Sequence, residues 1–305
     1  MIAAVERYLG LRADLGYQDR DLRRELRAFA AFAAARGAVH LRNEDVLAWV
    51  EPMGSAGARR RCVEKVSNLG SFLRAEDEAH EALPPRYASR LGRRDRLIPF
   101  VYRTEEVVSI MDGFASLGLA HAYDALTYRA IIGLIAATGM RVSEALNLRL
   151  ADVNGPVLFI RQTKFNKDRL LLVDETTTRA LDGYLALRPS GLNAPKLFLI
   201  WTNRTPSRVW MAAVFRRCTD LLGMEGRDGS GPPRIHDLRH TFAINSLAEC
   251  AHDEERVANH IVALSTYLGH VSVRDTYWYL RLLPGTKLAI VNAIEEMRHA
   301  QPDAQ

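Results

Sequence analysis

The sequence predicts a mainly α chain of two parts: a helical N-terminal third, then a larger α+β part with a small antiparallel three-stranded sheet. Three observations carry that reading. Apolar residues recur at helical spacing over most of the chain. The period shortens to that of strands at 157–173 and again at 196–199. A stretch at 84–99, rich in Pro and Arg and poor in apolar residues, separates the two parts. The expected organisation is therefore 1–83, a basic linker 84–99, and 100–305.

In the first part, Leu22, Leu26, Phe29 and Phe32 form one apolar stripe, with Arg23, Arg24, Arg27 and Arg36 largely off it. Gly37 stops that helix. A second helix covers 43–50, with Asn43 as its cap and Trp49 in the core. Pro52, Gly54 and Gly57 then break the chain. A third helix begins near Ala58 and runs through Val63, Val66, Leu69, Phe72 and Leu73. Arg59, Arg60 and Arg61 fall in its first turn, where they oppose the helix dipole. They are either a solvated face or contacts to a polyanion. In the linker, Arg93 and Arg94 add charge that could track the same partner.

The second part opens with Thr104 as cap and Glu105 and Glu106 behind it, then a helix through Val107, Val108, Ile110 and Met111. The almost wholly apolar helix 125–137, interrupted by Arg129, belongs at a domain centre. It ends at Thr138-Gly139-Met140, and a new helix carries Arg141, Ser143, Glu144, Leu146 and Leu148. Strand 157–164, turn 165–168 and strand 169–173 make a hairpin, and a third strand is expected at 196–199. Helices are expected at about 176–187, 207–222, 236–250, 254–268, 273–282 and 287–298.

Composition narrows the function classes. Of 305 residues, 48% are hydrophobic and 25% charged, as in globular proteins, and the net charge of +5 suits an anionic partner without requiring one. Three irregularly spaced cysteines point to reduced intracellular thiols rather than a disulfide framework. Glu6, Arg7, Arg12 and Asp14 interrupt the N-terminus, so no signal peptide is read there. No run approaches the roughly 20 apolar residues of a membrane span.

One stretch stands out for chemistry. After the breaker run 228–233, a helix starting at about His236 places His236, Arg239 and His240 at i, i+3 and i+4 on one face. Two imidazoles and a guanidinium near a helix N-terminus suit a phosphate oxygen. An i, i+4 histidine pair is also a metal-ligand spacing. Arg239 on the same face would repel a cation, so no metal is expected. Further candidates are Arg141, Lys164, His270, Tyr277 and Tyr279. Each also has a plain reading as a surface, helix-closing or core residue.

Together these pieces resemble the tyrosine recombinases, or phage integrase family. Residues 138–148, Thr-Gly-Met-Arg-Val-Ser-Glu-Ala-Leu-Asn-Leu, resemble its first signature box. Residues 236–243, His-Asp-Leu-Arg-His-Thr-Phe-Ala, resemble the second. Leu268-Gly269-His270 followed by Tyr279 resembles the end of that box and the nucleophile. Lys164 falls where the family keeps its hairpin lysine. The order and spacing match over 100–285. The N-terminal helices are similar to the family's core-binding (SAM-like) domain, and Thr276-Tyr277-Trp278-Tyr279-Leu280 is similar to a subset linked to transposons and mobile elements. Two departures are visible. Thr163 and Phe165 flank Lys164 where the family usually has glycines, leaving Lys167 as the competing lysine, although Lys164 holds the strand register. Residues 251–260 also lengthen the segment between Arg239 and His270.

The resemblance implies a site-specific DNA recombinase of the integrase or transposase type. It implies a 3′-phosphotyrosyl intermediate that stores the bond energy, with no cofactor and no metal. Tyr279 is the implied nucleophile. Residues two apart on a helix point about 200° from each other, so Tyr277 is expected to be a packing residue. Arg141 and Arg239 can fork the nonbridging oxygens, and His270 can donate to them. Lys164 can protonate the 5′-oxygen, and His236 can bind phosphate or help deprotonate the tyrosine. His240 and Glu144 are expected in support. Arg59, Arg60, Arg61, Lys65, Arg93 and Arg94 are the expected DNA contacts. The implied partner is double-stranded DNA, with a homo-tetramer on two sites joined through the C-terminal tail, possible partner recombinases, and a cytoplasmic, nucleoid-associated location. The alternatives are a type IB topoisomerase-like relaxing enzyme and a catalytically silent DNA-binding regulator.

Overall fold

A computed structural model describes residues 1–17, 20–84, 98–161, 168–250, 254–270 and 272–283. Its contacts divide the chain into two units, Met1–Arg96 and Leu97–Gln305. No helix among the described residues is long and apolar enough to cross a membrane. Lys164, Lys167, Arg93, Arg94 and the tail expected at 287–298 lie outside the described residues.

The first unit contains α1 (Ile2–Asp14), α2 (Arg20–Ala35), α3 (Asn43–Val50) and α4 (Ala56–Glu76). Helix α1 was not anticipated as a separate element; it buries Ala4, Val5, Tyr8 and Leu9, a helical spacing. Leu26, Phe29, Val46, Val63 and Leu69 fill the core. Asn43 is the first residue of α3 and not its cap: Arg42 holds the extended cap position, and the Asn43 N–H donates to Glu81 Oε2 at 2.8 Å. Trp49 is only half-buried and packs edge-on against Phe29. Helix α4 starts at Ala56, earlier than expected, because Ser55 Oγ accepts from the Ala58 N–H. Arg59, Arg60 and Arg61 therefore sit past the first turn.

The second unit is built around α6 (Ala122–Thr138), which buries Tyr128, Ile131, Ile132 and Ile135 and so needs cover on several sides. It packs on α5 (Thr104–Gly113), α8 (Glu175–Ala186) and α10 (Ile235–Ala248). Arg103, not Thr104, is the N-cap of α5, and its N–H donates to Glu106 Oε2. Between α6 and α8 come α7 (Val142–Asn147) and strands β1 (Val153–Asn154), β2 (Val157–Ile160) and β3 (Arg169–Leu172). The sheet is antiparallel in the order β1-β2-β3, with Val153 opposite Leu158 and Ile160 opposite Arg169.

The third strand is thus Val153–Asn154, not the expected 196–199. That later stretch makes only an isolated bridge between Lys196 and Arg149. Arg188 takes the carbonyls of Ala194, Lys196 and Leu197, which a strand ladder would have used. Leu197, Phe198 and Leu199 are nonetheless buried.

The unit continues with α9 (Arg208–Leu221), α10, α11 (Glu254–Leu268), α12 (Arg274–Tyr277) and a 3₁₀ turn at Trp278–Leu282. A separate apolar cluster joins Ile244 and Leu247 of α10, Ile261, Leu264 and Leu268 of α11, and Tyr279. Residues 254–260 form the start of α11, so most of the extra sequence seen there lengthens a helix. His260 Nε2 lies 2.7 Å from Ser246 Oγ, fastening α11 to α10.

Candidate active site

Two glycines shape the ground on which the site stands. Gly139 ends α6 at φ +62, and a Cβ there would sit 2.6 Å from Phe242 and 2.9 Å from Leu268. Only glycine lets the chain turn this close to α10 and α11. Gly269 ends α11 at φ +66, and its Cβ would meet the Arg169 guanidinium at 2.9 Å. These turns deliver Arg141 two residues after the first glycine and His270 one residue after the second.

The C-terminal end of α11 carries carbonyls that its own helix cannot satisfy. Three arginines take them in succession. Arg169 Nε donates to Tyr267 O at 3.0 Å, Arg239 Nη2 to Leu268 O at 2.8 Å, and Arg141 Nη2 to Gly269 O at 2.9 Å. Cations at a helix C-terminus also meet the negative end of its dipole. Arg239 Nη1 reaches back to Gly139 O at 2.8 Å, so one guanidinium joins both glycine turns. Its side chain is 2% exposed. Burial, then the nearby Arg141 charge, lowers its pKa to about 10, which still leaves it cationic at neutral pH.

Glu144 balances this positive cluster. It is 7% exposed. It accepts from Arg141 Nη1 at 2.7 Å and from both terminal nitrogens of Arg169, at 3.0 and 2.8 Å. It also accepts the Arg141 N–H, capping α7. Burial alone would raise its pKa. Arg169 and then Arg141 outweigh that and bring it down to about 2. Glu144 is therefore no surface acid: it holds both guanidiniums at once.

The histidines divide by environment. His240 Nδ1 lies 2.9 Å from the Tyr279 hydroxyl. His236 packs edge-on against His240, ring centroids 4.6 Å apart. The protein around His236, and then Arg239, lowers its pKa. His270 Nδ1 lies 2.7 Å from Thr276 Oγ1, and Thr276 is fully buried. Burial, followed by Arg239 and Arg141, lowers the His270 pKa to about 4. Both histidines are thus biased to the neutral form.

Tyr279 and Tyr277 face opposite ways, as the helical geometry requires. Tyr279 is 2% exposed, its ring in the α10–α11 cluster. Tyr277 is 52% exposed, so it is not the packing residue expected from the sequence. The expected helix over 273–282 divides here, tightening into 3₁₀ at Trp278.

The structure thus brings together Arg141, His236, Arg239, His240, His270, Tyr279 and Glu144. Arg169 and Thr276 join them and were missed in the sequence. Arg169 reads there only as the charged first residue of an apolar strand, and Thr276 as one small residue among aromatics. Three of the polar candidates in the first unit have partners within it. Arg59 donates to Met53 O, Arg60 to Glu64, and Lys65 to Glu25; Arg61 is exposed. Asp237 is engaged with Arg234. Among the described residues, no cluster of three or more His, Cys, Asp or Glu side chains could hold a metal ion.

Residues 101–285 match the Phage integrase family. A putative integrase/recombinase, y4rB of Sinorhizobium fredii (strain NBRC 101917 / NGR234), is 34% identical over 297 residues, 91% of each chain. The chain belongs to the phage integrase family. It is a tyrosine-type DNA strand transferase of site-specific recombination. Another relative of this recombinase is the tyrosine recombinase XerD of Mycobacterium leprae (strain TN), 29% identical over 255 residues, covering 79% of this chain and 74% of that one. Its fold is similar to that of the Tn1549 transposon integrase in complex with transposon right end DNA, with a TM-score of 0.64 and 16% identity over 98% of this chain and 99% of that one. It is similar also to a lambda integrase dimer bound to a COC′ core site, with a TM-score of 0.63 and 17% identity over 91% and 76% of the two chains.

For a recombinase, the arrangement has a direct chemical use. Attack on a phosphodiester builds negative charge on the nonbridging oxygens. Two guanidiniums oriented by backbone carbonyls and one carboxylate need little reorganisation to meet it. The neutral imidazole of His270 can donate through Nε2 if Nδ1 accepts from the Thr276 hydroxyl.

Proposed function

We propose that this recombinase serves a mobile element, cutting and rejoining duplex DNA at the element's ends, with Tyr279 as nucleophile. The observation that carries this reading is the 2.9 Å approach of the Tyr279 hydroxyl to His240 Nδ1, beside Arg239 and Arg141. A free tyrosine has a pKa near ~10, so it needs a proton acceptor to attack at neutral pH.

In the first step, the Tyr279 O–H proton passes to His240 Nδ1 and the phenolic oxygen attacks phosphorus. The bond between phosphorus and the 5′-oxygen breaks, leaving a 3′-phosphotyrosyl link. Lys164 gives its ammonium proton to the departing 5′-oxygen. Arg141, Arg239, His236 and His270 hold the nonbridging oxygens. The 5′-hydroxyl of another strand then reverses these events on a new partner. His240 thereby moves from the supporting place it had in the sequence reading to that of proton acceptor. Glu144, Arg169 and Thr276 act through the groups they position.

Four copies on two DNA sites, cutting alternately, in a cytoplasmic, nucleoid-associated setting, fit this chemistry. The test is a plasmid carrying two copies of the DNA that flanks the coding sequence. The expected outcome is a Tyr279-dependent deletion or inversion product. Relaxation of any supercoiled plasmid, with no two-site product, would make the chain a topoisomerase instead. Tight binding with neither product would make it a regulator.

A further inference from the structure

Trp278 immediately precedes the nucleophile, at the start of the 3₁₀ turn, and packs half-buried against the α10–α11 cluster. Between ring centroids, its indole lies 5.7 Å from His240 at an interplanar angle of 66°, and 5.5 Å from Tyr279 at 62°. The Tyr279 ring is itself 5.5 Å from His240. The imidazole of His240 therefore sits in a notch between two consecutive side chains, with His236 also packed on it at 4.6 Å. The 3₁₀ turn opens that notch. At three residues per turn, successive side chains diverge by about 120°, against about 100° in an α-helix. Two residues earlier, the Thr276 hydroxyl meets His270 Nδ1 at 2.7 Å. One short segment thus orients two imidazoles and carries the nucleophile.

The proton path explains why His240 needs a second hold. Histidine χ2 has a broad, roughly two-fold preference, so a ring kept by one hydrogen bond can turn Cδ2 to where Nδ1 belongs. Before cleavage, the 2.9 Å contact between Nδ1 and the Tyr279 hydroxyl opposes that turn. After cleavage that contact has changed. The phenolic oxygen is bonded to phosphorus and has no proton, and His240 carries the proton on Nδ1. Rejoining uses it. The 5′-hydroxyl oxygen attacks phosphorus and its proton passes to the Lys164 amine. The bond between phosphorus and the phenolic oxygen breaks, and that oxygen takes the proton from His240 Nδ1. The ring must keep its direction across both steps. Tilted aromatic pairs with centroids about 4.5–7 Å apart are directional. The contact between Trp278 and His240 is such a pair, and it involves no reacting atom.

We propose that Trp278 is a positioning residue, whose indole keeps Nδ1 of His240 directed at the Tyr279 oxygen through cleavage and rejoining. The proposal rests on the recombinase reading above and deepens its proton path.

The test is a double-mutant cycle on the full chain with a nicked duplex made from the DNA flanking its coding sequence. Three quantities are read: the dissociation constant, the rate of covalent adduct formation, and the rate at which the isolated adduct joins an added 5′-hydroxyl oligonucleotide. Trp278→Leu should slow both rates by about three- to tenfold, the range of an aromatic pair, at unchanged affinity. Trp278→Phe should recover most of the loss. In a His240→Gln background, adding Trp278→Leu should cost no more than about twofold, because the ring it positions is gone. Circular dichroism checks folding. If Trp278→Leu unfolds the unit, Trp278→Met, which keeps apolar volume without a ring, takes its place in the cycle. The full loss persisting in His240→Gln, or a loss of affinity in place of rate, overturns the positioning role and leaves the recombinase reading standing. A His240→Gln rate within threefold of wild type overturns the proton path and this proposal with it. No adduct from the wild-type chain overturns the recombinase reading as well.

Discussion

The Tyr279 hydroxyl lies 2.9 Å from Nδ1 of His240, one turn past Arg239's neighbour His236 on the same helix face. If His240 receives the phenolic proton, His240→Gln should slow covalent adduct formation by about 10²–10⁴-fold, the range of positioned general-base catalysis. Binding to the same DNA should change little, because the ring faces the nucleophile. Added imidazole should restore part of the rate in His240→Ala. An H240Q rate within threefold of wild type would remove His240 from the proton path.

The acid limb of stability should have two separable components. His270 titrates at about 4 in the folded chain against 6.5 normally. The unfolded chain therefore binds the proton more readily, and stability present above pH 6.5 declines as pH falls toward 4. Glu144 titrates at about 2 against 4.5. Its contribution is intact above 4.5 and is lost as pH falls toward 2. At ~1.4 kcal/mol per unit, the Glu144 component is on the order of 3 kcal/mol. Melting temperature against pH should lose its upper component in His270→Gln and its lower one in Glu144→Gln. Identical profiles in wild type and His270→Gln would contradict the assignment.

Thr276 is a positioning residue. A hydroxyl donating to His270 Nδ1 leaves the proton on Nε2, where phosphate can use it. Thr276→Val should reduce the cleavage rate by about tenfold, the value of one net hydrogen bond. Thr276→Ser should restore it. A purely packing role would show the reverse order, with Val tolerated and Ser impaired.

Much of this architecture is legible in the chain. Helix α6 is so apolar that only a central place suits it, and the face shared by His236, Arg239 and His240 follows from 3.6 residues per turn. The sheet was legible in its hairpin but not in its third strand. The carbonyls of Ala194, Lys196 and Leu197 go to Arg188, and nothing local in an apolar run reveals a guanidinium arriving from a helix end. The roles within the site were hidden for the same reason. Glu144 joins Arg141, the residue at the N-cap of its helix, to Arg169, a residue 25 positions later across a hairpin. The three arginines on 267–269 converge from three different elements. Which of two histidines meets Tyr279 depends on how the 3₁₀ turn at Trp278–Leu282 seats against α10, and that is a tertiary choice.

The most direct measurement is the mapping of a covalent adduct. The full chain is incubated with nicked duplexes made from the DNA flanking its coding sequence, and the trapped complex is digested and sequenced by mass spectrometry. The expected result is a phosphodiester from the Tyr279 oxygen to a DNA 3′-phosphate, with a free 5′-hydroxyl released and no adduct in Tyr279→Phe. A covalent complex that survives Tyr279→Phe, or that maps to Tyr277, would contradict it.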